Sequence, residues 1–183
     1  RCRKCKAHIS AQYPVIEALN GVLYLLVFWK FGMSVDSLVY CLLFSALLAL
    51  SVIDFRTYEI PVGFNLFILT LGLIHCVCHY TNWLDYLIGF LCVSVFLLIL
   101  YYATGGRAIG GGDVKLMGAC GFVLGVWPGL IQAVLSLSLA VLVGLVECRL
   151  QKQPLSMVRL PLAPFFCFGG VAAYWLTAFA LQI

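Results

Sequence analysis

Two aspartates stand at the edges of apolar runs, where they could carry acid–base chemistry. Asp54 directly follows the run Leu47 to Ile53, and Asp113 closes the glycine-rich stretch Gly105 to Gly112. Two carboxyl groups that meet in a fold share one proton, because like charges a few Å apart do not both ionise easily. The ionised carboxyl group can then take a proton from water while the protonated one polarises a carbonyl group. Such a pair titrates as a unit, so neither role is assigned to one residue.

The glycines before Asp113 are expected to admit a substrate. In this stretch, which includes the candidate site residues Gly110 and Gly112, the backbone can adopt positive φ and another chain can approach closely, because glycine has no Cβ. A protease must accept an extended peptide beside its carboxylates, and a glycine-rich approach suits that need. The alternative interpretation is that Asp113 only caps the helix that follows it, since Asp is a favoured N-cap residue. Taken alone, Asp113 leaves both interpretations open.

The composition indicates a membrane protein. Hydrophobic residues make up 64% of the 183 residues and charged residues 10%, against roughly 45–50% and roughly 25% in soluble domains. This leaves too little polar surface to cover a soluble core, so we expect the lipid bilayer as a partner and no nucleic acid. The chain opens at Arg1 without Met or a cleavable signal pattern, and we expect that a segment preceding Arg1 is missing from this sequence.

Apolar runs separated by glycine, proline and charge predict the fold. A bilayer core needs about 20 apolar residues per helical span. We therefore expect an all-α fold, a polytopic bundle of about seven transmembrane helices. The fifth run is short enough to be re-entrant instead. The seven candidate spans are Val15–Trp29, Val35–Ile53, Val62–Val77, Leu84–Tyr102, Val114–Trp127, Pro128–Val146 and Leu160–Ile183.

The basic residues orient the chain and favour seven spans. With the N-terminus in the cytoplasm, ten of the eleven Lys and Arg residues fall inside and only Lys30 falls outside. A re-entrant fifth run would move three cations near the last span outside, against the positive-inside rule. This topology places Asp54 and Asp113 together at the cytoplasmic face. His75 and His79 fall at the opposite face, where we expect them to contact solvent or lipid headgroups.

Four motifs, in order along the chain, resemble those of the prepilin peptidases, bacterial members of the GxGD class of aspartyl proteases. Asp54 with Ile60-Pro61 reads D-x5-I-P, and the stretch from Gly110 to Leu116 reads G-x-G-D-x-K-L. The other two, R-C-R-x-C and L-P-x-x-P-F, lie near the two ends of the chain. Position 163 is Ala, where the family usually has Gly. The similarity covers essentially the whole chain.

The resemblance implies a membrane aspartyl endopeptidase of the bacterial inner membrane, with Asp54 and Asp113 as the catalytic pair facing the cytoplasm. Its substrates would be type IV prepilins or type II secretion pseudopilins, whose basic leader it removes without a cofactor. Bifunctional members also methylate the new N-terminus with S-adenosylmethionine. Residues 15–183 are expected to form the protease domain. Residues 1–14 are expected to be a basic cytoplasmic segment, the remnant of the methyltransferase and zinc region.

Cys2 and Cys5 form a C-x-x-C pair in a basic setting. As the resemblance implies, a second C-x-x-C in an upstream segment would complete a four-thiolate zinc site. Zinc and S-adenosylmethionine are therefore expected only where that upstream region is present. Most of the remaining cysteines lie singly in apolar runs and are expected to be small buried hydrophobes.

Three charged residues are candidates for supporting roles. Glu59 precedes Ile60-Pro61 and is interpreted either as a receiver for a leader cation or as an ordinary solvated loop acid. Glu17, near the cytoplasmic end of the first span, fits a structural role and a substrate contact equally well. Lys115 is more typical of a side chain that extends to the interface than of one that tunes Asp113, because residues two apart on a helix do not face each other.

Two other classes of protein share some of these features. A proton- or cation-coupled transporter could use the two aspartates as ion ligands. Transporters usually hold such residues near the bilayer midplane and contain paired repeats, whereas these aspartates lie at one edge and no repeat is visible. A preflagellin or signal-peptide peptidase would share the chemistry, but the cysteine and Tyr-Pro segment argues against both.

Overall fold

The computed structural model describes residues 10–106, 109–151 and 160–180, and every regular element in those ranges is helical. A short 3-10 turn, Tyr80–Asn82, leads into the fourth α-helix. The all-α bundle expected from the sequence is confirmed. The α-helices of the described ranges are α1 Gln12–Phe31, α2 Val35–Thr57, α3 Val62–Cys78, α4 Trp83–Ala103, α5 Gly111–Leu124, α6 Val126–Gln151 and α7 Ala163–Ala180.

Helix length and composition suit a membrane. Helices α1, α2, α4 and α6 are each long and apolar enough to cross a bilayer, while α3 and α7 are apolar but shorter. Helix α5 has 14 residues, about 21 Å at 1.5 Å per residue. Its start packs against Ile60, just before α3, and its Val123 carbonyl accepts a hydrogen bond from His75 near the end of α3. Helix α5 therefore runs alongside α3 and does not turn back.

The break between α5 and α6 differs from the expected one. The sequence suggested a boundary between Trp127 and Pro128, but the helices separate at Gly125, whose φ is 85°. The Asp85 carboxylate lies where a Cβ on residue 125 would be, so this position requires glycine. Pro128 falls in the first turn of α6, where a missing N–H is tolerated. Hydropathy carries no signal for such a turn, because both flanking segments are apolar.

Helix α2 is the central helix of the bundle. It packs against α1, α3 and α7, and its side chains Leu43, Leu47 and Leu50 are fully buried. Helix α1 is peripheral, with most of its surface exposed. The central helix carries one acid in its first turn, Asp36, and another in its last turn, Asp54. The two ends of α2 therefore place a carboxylate at opposite ends of the bundle.

Glycines hold α5 against α4. A Cβ on Gly89 of α4 would lie 2.6 Å from the carbonyl oxygen of Gly121, and a Cβ on Gly121 of α5 would lie 2.7 Å from that of Gly89. These distances leave no room for a side chain, so the two backbones are in direct contact, as at other small-residue crossings of membrane helices. This contact sets the position of α5, and hence of Asp113.

The glycine contact predicts a loss of stability on substitution. Gly121→Val should lower the free energy of unfolding by about 1–3 kcal/mol or more, because the added methyl groups overpack a backbone-to-backbone contact. Thermal unfolding of the detergent-purified protein measures the effect. Gly21→Val is the matched control, since nothing lies within 4 Å of a Cβ at Gly21. Equal melting of the two variants would contradict the packing described for α4 and α5.

Candidate active site

Asp54 lies in the last turn of α2, where the chain leaves the helix for the linker to α3. The helix ends because Tyr58 adopts a left-handed conformation with φ of 54°, and its N–H donates to the Asp54 carbonyl oxygen at 2.9 Å. The Asp54 side chain is buried, with only 5% of the residue exposed. Its Oδ2 accepts a hydrogen bond from the N–H of Ala163 at 2.9 Å.

The donor to Asp54 is the start of the last helix. Ala163 is the first residue of α7, so its N–H is one of the helix-start groups that have no partner within the helix. The Leu162 N–H lies close to the same carboxylate. The positive end of the α7 dipole is therefore directed at Asp54, an arrangement that stabilises anions at helix N-termini. The last motif, L-P-x-x-P-F, thus has a structural role that the sequence did not reveal.

Asp113 occupies the third position of α5, whose N-cap is Gly110. The Asp113 Oδ2 accepts a hydrogen bond from the Gly110 N–H at 3.0 Å. Asp113 is therefore not the N-cap residue, as one interpretation of the sequence had it. Its side chain bonds back to the N-cap backbone, as an acid at the third helical position does in a capping box. Capping uses only Oδ2, so it does not exclude a chemical role for the other oxygen.

The fold brings Asp54 and Asp113 to one end of the bundle. The two carboxyl groups lie close enough for their charges to interact. Each has its Oδ2 held by a backbone N–H, and within the described ranges no group donates a hydrogen bond to either Oδ1. Ile60 of the D-x5-I-P motif packs against Gly112 of the G-x-G-D motif, since a Cβ on Gly112 would lie 3.4 Å from the Ile60 Cβ. The geometry leaves one oxygen of each carboxyl group for a water or a substrate.

The glycines of this loop have two different roles. Positive φ occurs in the stretch, as expected, but not at Gly110, whose φ is −79°, or at Gly112, which lies within α5. The positive values occur earlier in the loop, 60° at Gly105 and 71° at Gly106. Gly110 is required for another reason. A Cβ there would lie 3.0 Å from the Asp113 Oδ2, so a side chain would press on the carboxylate.

The proposed supporting residues lie around the pair rather than on it. Glu17, Glu59 and Lys115 are all exposed. Among the described residues, none of the three forms an ion pair or hydrogen bond with either aspartate through its side chain. The roles suggested for them therefore stay predictions. Cys2 and Cys5 lie outside the described residues.

An apolar groove of about 450 Å³ opens beside Asp54, between α1, α2 and α7. At the Asp54 end its walls include Phe55 and Pro164, and it extends along the helices to Val22 and Val171. Polar groups occur at its mouth, where the Arg56 Nη2 donates to the Gln12 Oε1 at 2.8 Å. The groove thus extends along the bundle to Ser51 and Phe55, which flank Asp54 in α2, while Asp54 and Asp113 themselves do not line it.

Comparison with known proteins agrees with these features. The chain matches the Type IV leader peptidase family over residues 41–146 and the Bacterial Peptidase A24 N-terminal domain over residues 1–31. It is 32% identical to the prepilin leader peptidase/N-methyltransferase of Pseudomonas putida, over 96% of this chain and 62% of that protein. It is 30% identical to the Bacillus subtilis protein of the same name, over 95% of this chain and 70% of that protein.

The chain spans 57% to 66% of the length of several of these curated relatives. No solved structure matches it at a significant level. The family match covers more than half of the chain and contains both Asp54 and Asp113. On these grounds the chain belongs to the type IV leader peptidase family.

Proposed function

We propose that this chain is a membrane aspartyl endopeptidase that cleaves the basic leader of type IV prepilins or type II secretion pseudopilins. The observation that carries the proposal is the meeting of Asp54 and Asp113 at one end of the bundle, each held by a backbone N–H. The curated relatives named as prepilin leader peptidases support the same class of substrate. The alternative of an ion-coupled transporter fits less well, because the pair lies at the end of α2 and not at its middle.

The pair would work as a proton-sharing unit. One carboxyl group, ionised, accepts a proton from the attacking water, while the other, protonated, donates a hydrogen bond to the scissile carbonyl oxygen. The backbone donors hold both Oδ2 atoms before the substrate arrives, so little reorganisation is needed during the reaction. The Oδ1 atoms are then the ones that contact the water and the carbonyl group.

The surroundings of the pair suit a substrate that is apolar on one side of the cleavage site. An apolar helix next to the cleavage site would lie in the groove between α1, α2 and α7, whose walls include Phe55 next to Asp54. The leader would extend into the aqueous phase at that end. We assign this end to the cytoplasm because ten of the eleven Lys and Arg residues belong to that side in the seven-helix topology.

The proposal is confined to proteolysis. The names of the curated relatives include N-methyltransferase activity, which would require S-adenosylmethionine. In this chain the residues that the resemblance connects with that activity, Cys2 and Cys5, lie outside the described ranges. Cleavage requires only the membrane bundle and its two aspartates.

Loss of either aspartate should abolish cleavage. Members of a catalytic unit are strongly non-additive, so Asp54→Asn, Asp113→Asn and the double variant should all be inactive to the same degree. The assay incubates the detergent-purified enzyme with a prepilin and sequences the N-terminus of the product. Gel filtration in detergent checks that the variants remain folded. Substantial cleavage by one single variant would remove that aspartate from the proposed pair.

Gly110 and its neighbour Gly111 should respond differently to the same change. Gly110→Ala should reduce kcat strongly, because the new Cβ would lie 3.0 Å from the Asp113 Oδ2 and displace it. Gly111→Ala should be tolerated, because nothing lies within 4 Å of a Cβ there. Cleavage kinetics of the two variants test the comparison. If both alanines behaved alike, the position of the Asp113 carboxylate would be wrong.

The hydrogen bond from Ala163 should be required for full activity. Ala163→Pro removes the N–H that donates to Asp54, at a first helical position where proline is otherwise accepted. A hydrogen bond to a charged group contributes about 1.5–3 kcal/mol, so kcat should fall by about tenfold to a hundredfold. Ala163→Gly keeps the N–H and is the control that should retain activity. Wild-type kcat in Ala163→Pro would show that the α7 terminus has no part in catalysis.

Glu59 is proposed to receive a cation of the leader. It is exposed in the linker between Asp54 and α3, so Glu59→Lys should raise KM by about twofold to fivefold at low salt, the size of one exposed ion pair. The value of kcat should change little, and a leader with reversed charge should partly restore KM. An unchanged KM for the wild-type substrate at low salt would leave Glu59 as an ordinary loop acid.

A further inference from the structure

Three side chains with metal-binding atoms meet at the end of the bundle opposite Asp54. Asp36 lies in the first turn of α2, His75 in the last turn of α3, and His79 directly after α3. The Asp36 Oδ1 is 3.4 Å from the His75 Nε2 and 3.7 Å from the His79 Nε2. All three ligand atoms lie within 4.8 Å of one another.

Hydrogen bonds to backbone carbonyl groups determine which nitrogen of each imidazole ring faces the Asp36 carboxylate. The His75 Nδ1 is 2.9 Å from the carbonyl oxygen of Val123, and the His79 Nδ1 is 3.4 Å from that of His75. A carbonyl oxygen can only accept, so each Nδ1 carries the hydrogen. In a neutral imidazole the other nitrogen, Nε2, then bears a lone pair. Both lone pairs are therefore directed toward a carboxylate oxygen.

Such an arrangement of three acceptors is unfavourable unless a cation lies among them. The Asp36 Oδ1 is buried, and with the hydrogen of each imidazole on Nδ1 it accepts no hydrogen bond from the described part of the chain. The expectation that His75 contacts solvent or headgroups is wrong, because its side chain is only 5% exposed. It packs between the rings of Tyr40 and Tyr86, at centroid distances of 5.4 Å and 5.0 Å. With both imidazoles neutral, a buried carboxylate oxygen and two imidazole nitrogens thus lack a compensating positive charge.

We propose that Asp36, His75 and His79 bind a divalent transition-metal ion, with Zn²⁺ as the best fit. Imidazole nitrogen and carboxylate oxygen are common zinc ligands, and a bound water would complete a four-coordinate site. Tetrahedral bonds of about 2.0–2.1 Å place ligand atoms about 3.4 Å apart, close to the two distances from the Asp36 Oδ1 to the histidine nitrogens. Histidine ligands of metals usually donate their other ring N–H to a carbonyl or carboxylate group, as both histidines do here.

The ion would connect the helices that carry the two aspartates of the active site. Asp36 and Asp54 are 18 residues apart on α2, about 27 Å along the helix. His75 links α3 to α5 through the Val123 carbonyl, and α5 carries Asp113 at its other end. The side chain of His79 is 39% exposed, so an ion could enter from the aqueous phase at this end. The metal would have a structural role, independent of the proposed protease activity.

Cobalt is a suitable probe, because Co²⁺ occupies zinc sites and reports its ligands by absorption. The full chain is purified in detergent with Cys2→Ser and Cys5→Ser, which removes the N-terminal thiol pair, and is then freed of metal. It should bind one Co²⁺ per chain, with visible d–d bands and no thiolate charge-transfer band. Asp36→Asn and His79→Gln should each weaken binding at least tenfold, the lower limit for loss of an orienting partner. His8→Gln, which changes a histidine that is not one of the three proposed ligands, should bind as the parent does.

Thermal unfolding provides a second measurement. Zn²⁺ should raise the melting temperature of the parent and of His8→Gln, because a ligand that binds only the folded state stabilises it. It should not do so for Asp36→Asn or His79→Gln. Equal melting of parent and His79→Gln in EDTA would show that the variant folds. Absence of Co²⁺ binding by the parent, or parent-like affinity in Asp36→Asn, would overturn the proposal and leave a shared proton as the occupant.

Discussion

The hydrogen bond from the Ala163 N–H to the Asp54 Oδ2 is the contact on which the arrangement of the site depends. A carboxylate at the edge of an apolar bundle needs compensation from within the protein, because lipid provides none. The start of α7 supplies it with free N–H groups and the positive end of a helix dipole. The same contact brings the last helix of the chain onto the central one, and so closes one side of the groove beside Asp54.

Each end of α2 carries a carboxylate that meets polar groups from the end of another helix. Asp54 is compensated at one end by α7, and Asp36 at the other end faces two histidines from the end of α3. Helix α5 spans the distance between these regions, since it begins near Ile60 and ends where His75 contacts Val123. It can lie this close to α4 only because Gly89 and Gly121 have no side chains. Charge compensation at the helix ends and backbone contact between helices together position Asp113 relative to Asp54.

The helices and the two aspartates could be predicted from the sequence because their signals are local. Apolar runs, basic loops and the motifs around Asp54 and Asp113 are all visible within about 20 residues. The donor to Asp54 could not be predicted, because Ala163 is 109 residues away and hydropathy does not reveal which helices are neighbours. The burial of His75 escaped prediction for the same reason, since its partners come from α2, α4 and α5.

The central claim is that Asp54 and Asp113 lie at the same end of the bundle, close enough for their charges to interact, and crosslinking tests it most directly. In a chain whose nine native cysteines have been replaced, Asp54→Cys with Asp113→Cys should form an intramolecular link with a short bis-maleimide, because each maleimide adds one cysteine thiol. The control pair, Asp36→Cys with Asp113→Cys, should not, because α2 separates residues 36 and 54 by about 27 Å. Mass spectrometry of the digested protein identifies the link. Failure of the first pair to crosslink, or equal crosslinking of both pairs, would contradict the account.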